Sequence, residues 1–198
     1  MEWSDLDLWE GCKAGNQDML SEIYRRYFDD MYSYGYRILN DQEVVKDCVQ
    51  TIFVKLISGK HRYTVTNLKA YLFAALRNAL YQHQRQLAVR KKMENEIRYT
   101  AGPPFTLDFS LPEQRQQENL AALQQALQHL TARQKEVIYL RYIADVSYED
   151  ISDIMQLSTK GTYKLVARAL QHLKELLSTD EKTLLLMMAM LKILLGLR

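Results

Sequence analysis

A short stretch near the carboxyl end carries basic side chains at helical spacing, in a sequence typical of a helix that reads DNA. Residues 147–174 read SYEDISDIMQLSTKGTYKLVARALQHLK, two amphipathic segments joined by a three-residue turn. Lysine and arginine reach guanine edges or phosphates when a helix enters the major groove, and residues near the helix start make these contacts. The expected contact residues are Lys160, Tyr163, Lys164 and Arg168.

The elements that must position these side chains are two short helices. Ser147 precedes Asp150 by three residues, which is a capping-box spacing, so the first helix should begin near Tyr148. Ser158 is placed to cap the second helix. The expected buried stripe of that helix comprises Thr162, Leu165, Val166, Ala169, Leu170 and Leu173. The alternative is that the basic face is only solvated, which is the commoner fate of lysines.

A second basic region lies earlier in the chain. The formal net charge is only +2, but residues 60–98 contain nine lysines and arginines against Glu94 and Glu96. Phosphate neutralisation combined with aromatic rings favours contact with single-stranded nucleic acid. The interleaved aromatics are Tyr63, Tyr71, Phe73 and Tyr81. Packing in a core is the alternative for each ring, and at least one of the adjacent residues 71–73 should face inward.

The chain should be all-α, with two helical domains joined by a flexible linker. Apolar residues recur at helical spacing almost throughout, and no hairpin signal interrupts them. All three prolines fall between residues 103 and 112, which places a linker there. The expected parts are a domain at 1–95, a linker at 96–118, a helix-turn-helix domain at 119–178 and an apolar tail at 179–198.

The helix boundaries follow from capping residues. In the first domain we expect helices at 5–14, 16–39, 41–57 and 67–95, with Asn16 and Asp41 as caps. Residues 58–66 lack helical spacing and should form a loop. In the second domain we expect helices from Glu113 to Leu130 and from a Thr131 cap to Tyr142, followed by the pair described above.

Three segments, taken in order, resemble the sigma-70 family of transcription initiation factors. DCVQTIFVKL (47–56) resembles the helix with which that family binds core RNA polymerase. NLKAYLFAALRNALYQHQR (67–85) resembles the next helix, which takes part in −10 element recognition and strand melting. Residues 130–176 resemble the −35-binding domain. The order, with no domain between the two, is that of the extracytoplasmic function (ECF) subfamily.

The resemblance implies roles for residues of the first domain. Contacts to core polymerase are expected from Asp47, Gln50, Thr51 and Lys55, with Cys48, Ile52 and Leu56 in the core. The loop at 58–66 corresponds to the segment that captures a flipped −10 base. Contacts to the single-stranded −10 element are expected from Lys60, His61, Arg62, Tyr63, Lys69, Arg77, Asn78 and Arg85.

It also implies roles for the second domain and the linker. Contacts to the double-stranded −35 element are expected from Ser158, Thr159, Lys160, Thr162, Tyr163, Lys164 and Arg168. Gly161 departs from a good helix sequence, at a cost of about 1 kcal/mol relative to alanine. The linker would pass through the polymerase channel, although its composition equally suits a plain tether. An anti-sigma factor is an expected partner.

Other function classes fit the sequence less well. A helix-turn-helix after LTARQKEVI (130–138) also resembles LuxR-type regulators, which act as dimers, but these should carry βαβ units in their first half. An enzyme is not expected, because the four histidines show no metal-binding spacing and there is no Gly-rich phosphate loop. We expect neither cofactor nor metal.

The remaining features concern location and the tail. The first residues lack the pattern of a signal peptide, which predicts a cytoplasmic protein. Cys12 and Cys48 should be small buried side chains without a disulfide. The tail TLLLMMAMLKILLGLR (183–198) is shorter than the ~20 residues that span a bilayer. Packing within the protein or in a partner's groove is favoured over membrane contact, because one lysine is a weak polar face.

Overall fold

The computed structural model describes residues 3–57, 65–93, 105–107, 117–179, 183–184 and 188–189. It contains eight α-helices and one π-helical turn in these ranges, with no strand, so the predicted all-α class is confirmed. The α-helices are α1 (Asp5–Lys13), α2 (Gln17–Ile38), α3 (Gln42–Ile57), α4 (Leu68–Met93), α5 (Gln117–Gln128), α6 (Ala132–Ile138), α7 (Tyr148–Met155) and α8 (Thr159–Leu177). The chain divides into two compact units, Met1–Pro103 and Pro104–Arg198.

Polar caps set the helix starts of the N-terminal unit. The Asn16 side-chain oxygen accepts hydrogen bonds from the backbone N–H groups of Asp18 and Met19, at 2.9 and 3.2 Å. The Asp41 carboxylate accepts two in the same way at the start of α3. Each cap satisfies N–H groups that have no partner inside the helix. The predicted caps and helix boundaries here agree with the structure to within about two residues.

The core of this unit is built around α2, which packs against α1, α3 and α4. Trp9, Tyr34 and Phe73 are fully buried or nearly so. Gly35 allows α2 to pack closely on α3, since a Cβ there would lie 2.8 Å from Cγ1 of Val45. The four helices therefore share one apolar core, and the outer faces of α3 and α4 are left at the surface.

An ionic cluster fastens α1 to α2. The Arg26 guanidinium lies 2.8 Å from the Asp5 carboxylate, and the Tyr27 hydroxyl donates a hydrogen bond to the same carboxylate. Burial, followed by the neighbouring Asp5, raises the pKa of Tyr27. The Tyr27 hydroxyl therefore stays protonated to a higher pH than that of an exposed tyrosine.

The C-terminal unit is organised around α8, which packs against α5, α6 and α7. Thr131 forms a capping box with Gln134 at the start of α6. The helix predicted to run to Tyr142 instead changes at Ile138 into a π-helical turn at Tyr139–Ile143. Tyr139, Leu140 and Ile143 of this turn are all buried.

Three residues of the expected linker pack against the C-terminal unit. Phe105 and Leu107 are 3% and 4% exposed, and the Phe105 ring lies 5.8 Å from that of Tyr139. We call Phe105–Leu107 the linker anchor. These residues lie within the expected linker, and alternate side chains of the three-residue segment are buried in the C-terminal unit.

The two cysteines and the tail complete the description. Cys12 and Cys48 are free thiols, Cys12 buried and Cys48 half-buried, and burial raises the pKa of both. In the tail, Leu184 and Met188 are buried. No helix within the described ranges has the length and apolar character needed to cross a membrane.

Candidate nucleic-acid and polymerase interfaces

The outer face of α8 carries a row of cations. Lys160, Lys164 and Arg168 are exposed and follow one another at four-residue intervals, so they lie along one line of the helix. Among the described residues none of these three forms an ion pair. Thr159 and Ser158 are exposed at the helix start. The face therefore offers three uncompensated positive charges near the N-terminal half of a helix, where phosphates and base edges are bound.

The helix start is ordered by Ser158. Its hydroxyl oxygen accepts a hydrogen bond from the Gly161 N–H at 3.1 Å, which makes Ser158 the N-cap. Gly161 lies within this regular first turn, and a Cβ there would lie 3.1 Å from the Ser158 hydroxyl. The first turn is thus closed and well formed, with the glycine beside its cap.

Thr162 does not belong to the exposed face. Its side chain is fully buried, and its hydroxyl donates to the Ser158 carbonyl at 3.3 Å. The predicted DNA contact of Thr162 is therefore wrong, because the side chain lies on the packed side of α8. The same residue was also expected in the buried stripe, and that placement is correct.

Two residues outside α8 adjoin the exposed face, and sequence reasoning missed both. The rings of Tyr148 and Tyr163 are stacked, with centroids 4.1 Å apart and planes 16° apart. The Arg141 guanidinium lies 4.9 Å from the Tyr148 centroid. Tyr148 stood out in the sequence only as the first residue of α7, and no local pattern signals a contact across fifteen residues.

The helix-turn-helix bend has a left-handed residue. Gln156 has φ 54° and ψ 52°, and it ends α7 where a glycine is commoner. At the start of α7, the Ser147 hydroxyl oxygen accepts from the Asp150 N–H, and the Ser147 hydroxyl donates to the Asp150 carboxylate. The predicted start at Tyr148 is correct, and the pair caps the helix by a side-chain contact.

On α4 the predicted −10 residues separate into two groups. Asn78 and Arg85 are exposed and share one face of the helix with Gln82 and Gln86. Lys69 is half-buried, with its ammonium 3.3 Å from the Asp30 carboxylate. Residues 60–63 lie outside the described residues.

The structure contradicts the predicted contact of Arg77 with the −10 strand. It is 6% exposed, and its guanidinium lies 4.2 Å from the Tyr81 ring centroid. A buried cation stacked on a ring has no surface to offer a strand of DNA, so the predicted contact of Arg77 is wrong. It acts in packing instead.

The interleaved aromatics of α4 mostly serve the core. Phe73 is buried with its ring 4.9 Å from that of Tyr34, and Tyr71 lies 5.3 Å from Trp9. The Arg77 guanidinium covers one face of the Tyr81 ring. Core packing therefore holds for Phe73, whereas Tyr71 and Tyr81 are half-buried.

The outer face of α3 is polar with an apolar edge. Asp47, Gln50, Thr51 and Lys55 are all exposed, while Ile52 and Leu56 are buried beneath them. Cys48 is only half-buried, so its expected core position is partly wrong. Val54 and Ile57 are 56% and 57% exposed, and they extend this face with apolar surface that sequence reasoning did not single out.

Comparisons with known proteins connect these surfaces to a family. The sigma-70 region 2 model matches residues 23–90, and the sigma-70 region 4 model matches residues 120–173. The ECF RNA polymerase sigma factor SigM of Bacillus subtilis is 26% identical over 157 residues, which is 79% of this chain and 94% of SigM. BldN of Streptomyces coelicolor, also named an ECF sigma factor, is 25% identical over 89% of this chain and 67% of its own.

Solved structures agree on the fold. The sigma factor RpoE from Bartonella quintana, solved with the anti-sigma factor NepR, matches with a TM-score of 0.60 at 23% identity, over 81% of this chain and 98% of RpoE. CnrH, solved with the cytosolic domain of CnrY, matches with a TM-score of 0.59 at 20% identity, over 89% and 99% of the two chains.

Proposed function

This chain belongs to the ECF subfamily of sigma-70 RNA polymerase sigma factors, and on that premise we propose how its two units share the work of promoter recognition. The C-terminal unit reads the −35 element through α8. The N-terminal unit binds core polymerase through α3 and holds the melted −10 strand through α4. The observation that carries the proposal is the order of the two family regions on two separate helical units, the second with an exposed cationic row.

The surface for core polymerase is the outer face of α3. Asp47, Gln50, Thr51 and Lys55 supply polar contacts, and Val54 beside them supplies apolar area. A mixed face of this kind suits a partner that binds and later releases, because transient interfaces are more polar than permanent ones.

The proposed surface for the −10 strand comprises Asn78 and Arg85 together with Lys60, His61, Arg62 and Tyr63, which precede α4 in the sequence. Arg85 supplies charge toward phosphate, and the Asn78 amide can hydrogen-bond a base edge. Lys69 also contributes positive charge to this surface, although its ammonium is paired with the Asp30 carboxylate. Arg77 and Thr162 are left out because both are buried.

The protein itself performs no chemistry in this proposal, because polymerase makes the RNA. It works in the cytoplasm, where polymerase and promoter DNA are. An anti-sigma factor is a proposed partner, supported by the complexes of RpoE with NepR and of CnrH with CnrY. A role as a LuxR-type dimer is not favoured, since a sigma-70 region 2 match occupies the half where βαβ units would stand.

Core binding and transcription from one preparation test the proposal. We expect the purified chain to be retained by immobilised core polymerase and to direct run-off transcription from a subset of genomic fragments. A variant with Asp47→Ala and Gln50→Ala should lose retention, whereas Glu10→Ala, an exposed change on α1, serves as the control. Failure of the wild-type chain to bind core would overturn the proposal.

A further inference from the structure

The Tyr148–Tyr163 stack joins the two helices of the helix-turn-helix at its exposed surface. Tyr148 is the first residue of α7, and Tyr163 lies in the second turn of α8, next to Lys164 and one turn after Lys160. The ring planes are 16° apart with centroids at 4.1 Å, so the contact is face to face. Tyr163 nevertheless remains 49% exposed.

Tyr148 is itself held from a third element. Arg141, in the π-helical turn, places its guanidinium 4.9 Å from the Tyr148 centroid. The same guanidinium donates a hydrogen bond to the Val146 carbonyl at 3.1 Å, which fixes its position. Arg141 and Tyr148 are both half-buried, so the support beneath Tyr163 is built from packed side chains.

An exposed tyrosine without such support exchanges rotamers on the ps–ns timescale. Stacking on a second aromatic ring favours the stacked rotamer over the others by roughly two- to tenfold. The stack covers one face of the Tyr163 ring, and the residue lies beside Lys160 and Lys164 of the cationic row. In the major groove an apolar edge fits the C5-methyl group of thymine, which only one base presents.

We propose that Tyr148, held by Arg141, is a positioning residue that fixes the Tyr163 ring to read a thymine methyl group in the −35 element. Promoter selectivity is then set partly by residues outside the recognition helix. This inference rests on the proposed function, and it adds to it a specificity residue and its support. The lysines of α8 supply affinity for any sequence, and the stacked ring supplies preference at one position.

The test is transcription by full-length protein with core polymerase from a promoter library randomised through the −35 element. Tyr163→Ala should reduce the preference for thymine at one position by roughly fivefold or more, and Tyr148→Ala should reduce it at the same position. Tyr148→Phe keeps the ring and should retain the preference. The double variant Tyr148→Ala, Tyr163→Ala should match Tyr163→Ala alone, because Tyr148 acts through Tyr163.

Controls separate positioning from loss of stability. Tyr36→Ala truncates an exposed tyrosine of α2, which is 37% exposed, and should leave the −35 preferences unchanged. A uniform loss of transcription from every promoter with Tyr148→Ala, or an unchanged preference, would overturn the inference while leaving the sigma function intact. A wild-type protein with no −35 preference at all would overturn the proposed function and this inference with it.

Discussion

The side chains of α8 form two groups, an exposed cationic row and a buried row that packs in the core. Lys160, Lys164 and Arg168 face outward in a row, while Thr162 and Val166 face the core. In the proposed function, removing a charge from the outer row should weaken the interaction with DNA without disturbing the fold. A change on the inner row would do the reverse.

Lys160→Ala and Arg168→Ala should each weaken promoter binding by the polymerase holoenzyme and lower its salt dependence. Each lost phosphate contact removes counterion release, so the slope of log K against log salt should become shallower by about 1. Binding titrations between about 50 and 200 mM salt measure this slope. Lys174→Ala, an exposed change in the last turn of the same helix, is the matched control. Equal slopes for all three variants and the wild type would remove the row from the DNA interface.

The Tyr27 hydroxyl should make the N-terminal unit sensitive to alkali. Because burial and Asp5 raise the folded-state pKa of Tyr27, the protonated form favours folding. That contribution is complete below the unfolded pKa of about 10 and is lost as pH rises toward the higher folded value. Above about pH 10, the urea midpoint of the wild type should therefore fall more steeply than that of Tyr27→Phe.

The control for this pH series is Tyr36→Phe, which alters an exposed tyrosine and should keep the wild-type steepness. At neutral pH, Tyr27→Phe should be less stable by about 1 kcal/mol, since it loses one hydrogen bond. Parallel pH curves for wild type and Tyr27→Phe would contradict the role assigned to the hydroxyl.

Residue-level prediction from sequence worked where spacing alone decides which way a side chain points. The four-residue interval of the cationic row on α8 is such a case. It failed for Arg77, since sequence shows that a residue is basic but not that Tyr81 covers it. The Tyr148–Tyr163 stack was missed for the same reason, because no local signal announces a contact between separate helices.

At the scale of elements, the linker anchor changes where the C-terminal unit begins. Phe105 packs on Tyr139 of the π-helical turn, and Leu107 is buried two residues later. The unit therefore includes residues well before α5, although their composition favoured a tether.

Phe105→Ala should destabilise the C-terminal unit by about 3 kcal/mol, because it removes a buried aromatic ring and leaves a cavity. Thermal unfolding of the full chain would measure the loss. Amide hydrogen exchange in α6 and α8 would show that it lies in the C-terminal unit. Thr106→Ala changes the exposed residue between the two buried ones and should have little effect. Similar stabilities for the two variants would show that the anchor contributes nothing.

Most helix starts could be predicted because a cap is a local feature. Asn16, Asp41, Thr131, Ser147 and Ser158 all accept hydrogen bonds from the first turn of their helices. The π-helical turn could not be predicted, since its residues are ordinary helix formers. Its Tyr139 packs on Phe105, a contact that comes from a distant part of the chain.

At the scale of the whole molecule, two units with separate cores act as a bivalent ligand in the proposed function. When one unit has bound its promoter element, the linker raises the effective concentration of the other unit at the second element. The chain between the last helical residue of the N-terminal unit, Met93, and the linker anchor is about 11 residues long.

A longer connection should weaken promoter binding without altering either surface. Inserting about 20 Gly/Ser residues between Pro103 and Pro104 should lower the affinity of the holoenzyme roughly fivefold, since effective concentration falls roughly as the −3/2 power of length. The same segment added before Met1 is the control. Undiminished affinity with the inserted segment would show that one unit alone carries promoter binding.

The separate core of the N-terminal unit also has a consequence in time. Its last helix ends at Met93, whereas the C-terminal unit cannot complete its core until α8, ending at Leu177, has been made. At about 5–20 residues per second, a ribosome needs roughly 4 to 17 s to add that stretch. For those seconds the nascent chain has a complete α3 surface but not yet α8, the helix proposed to read DNA.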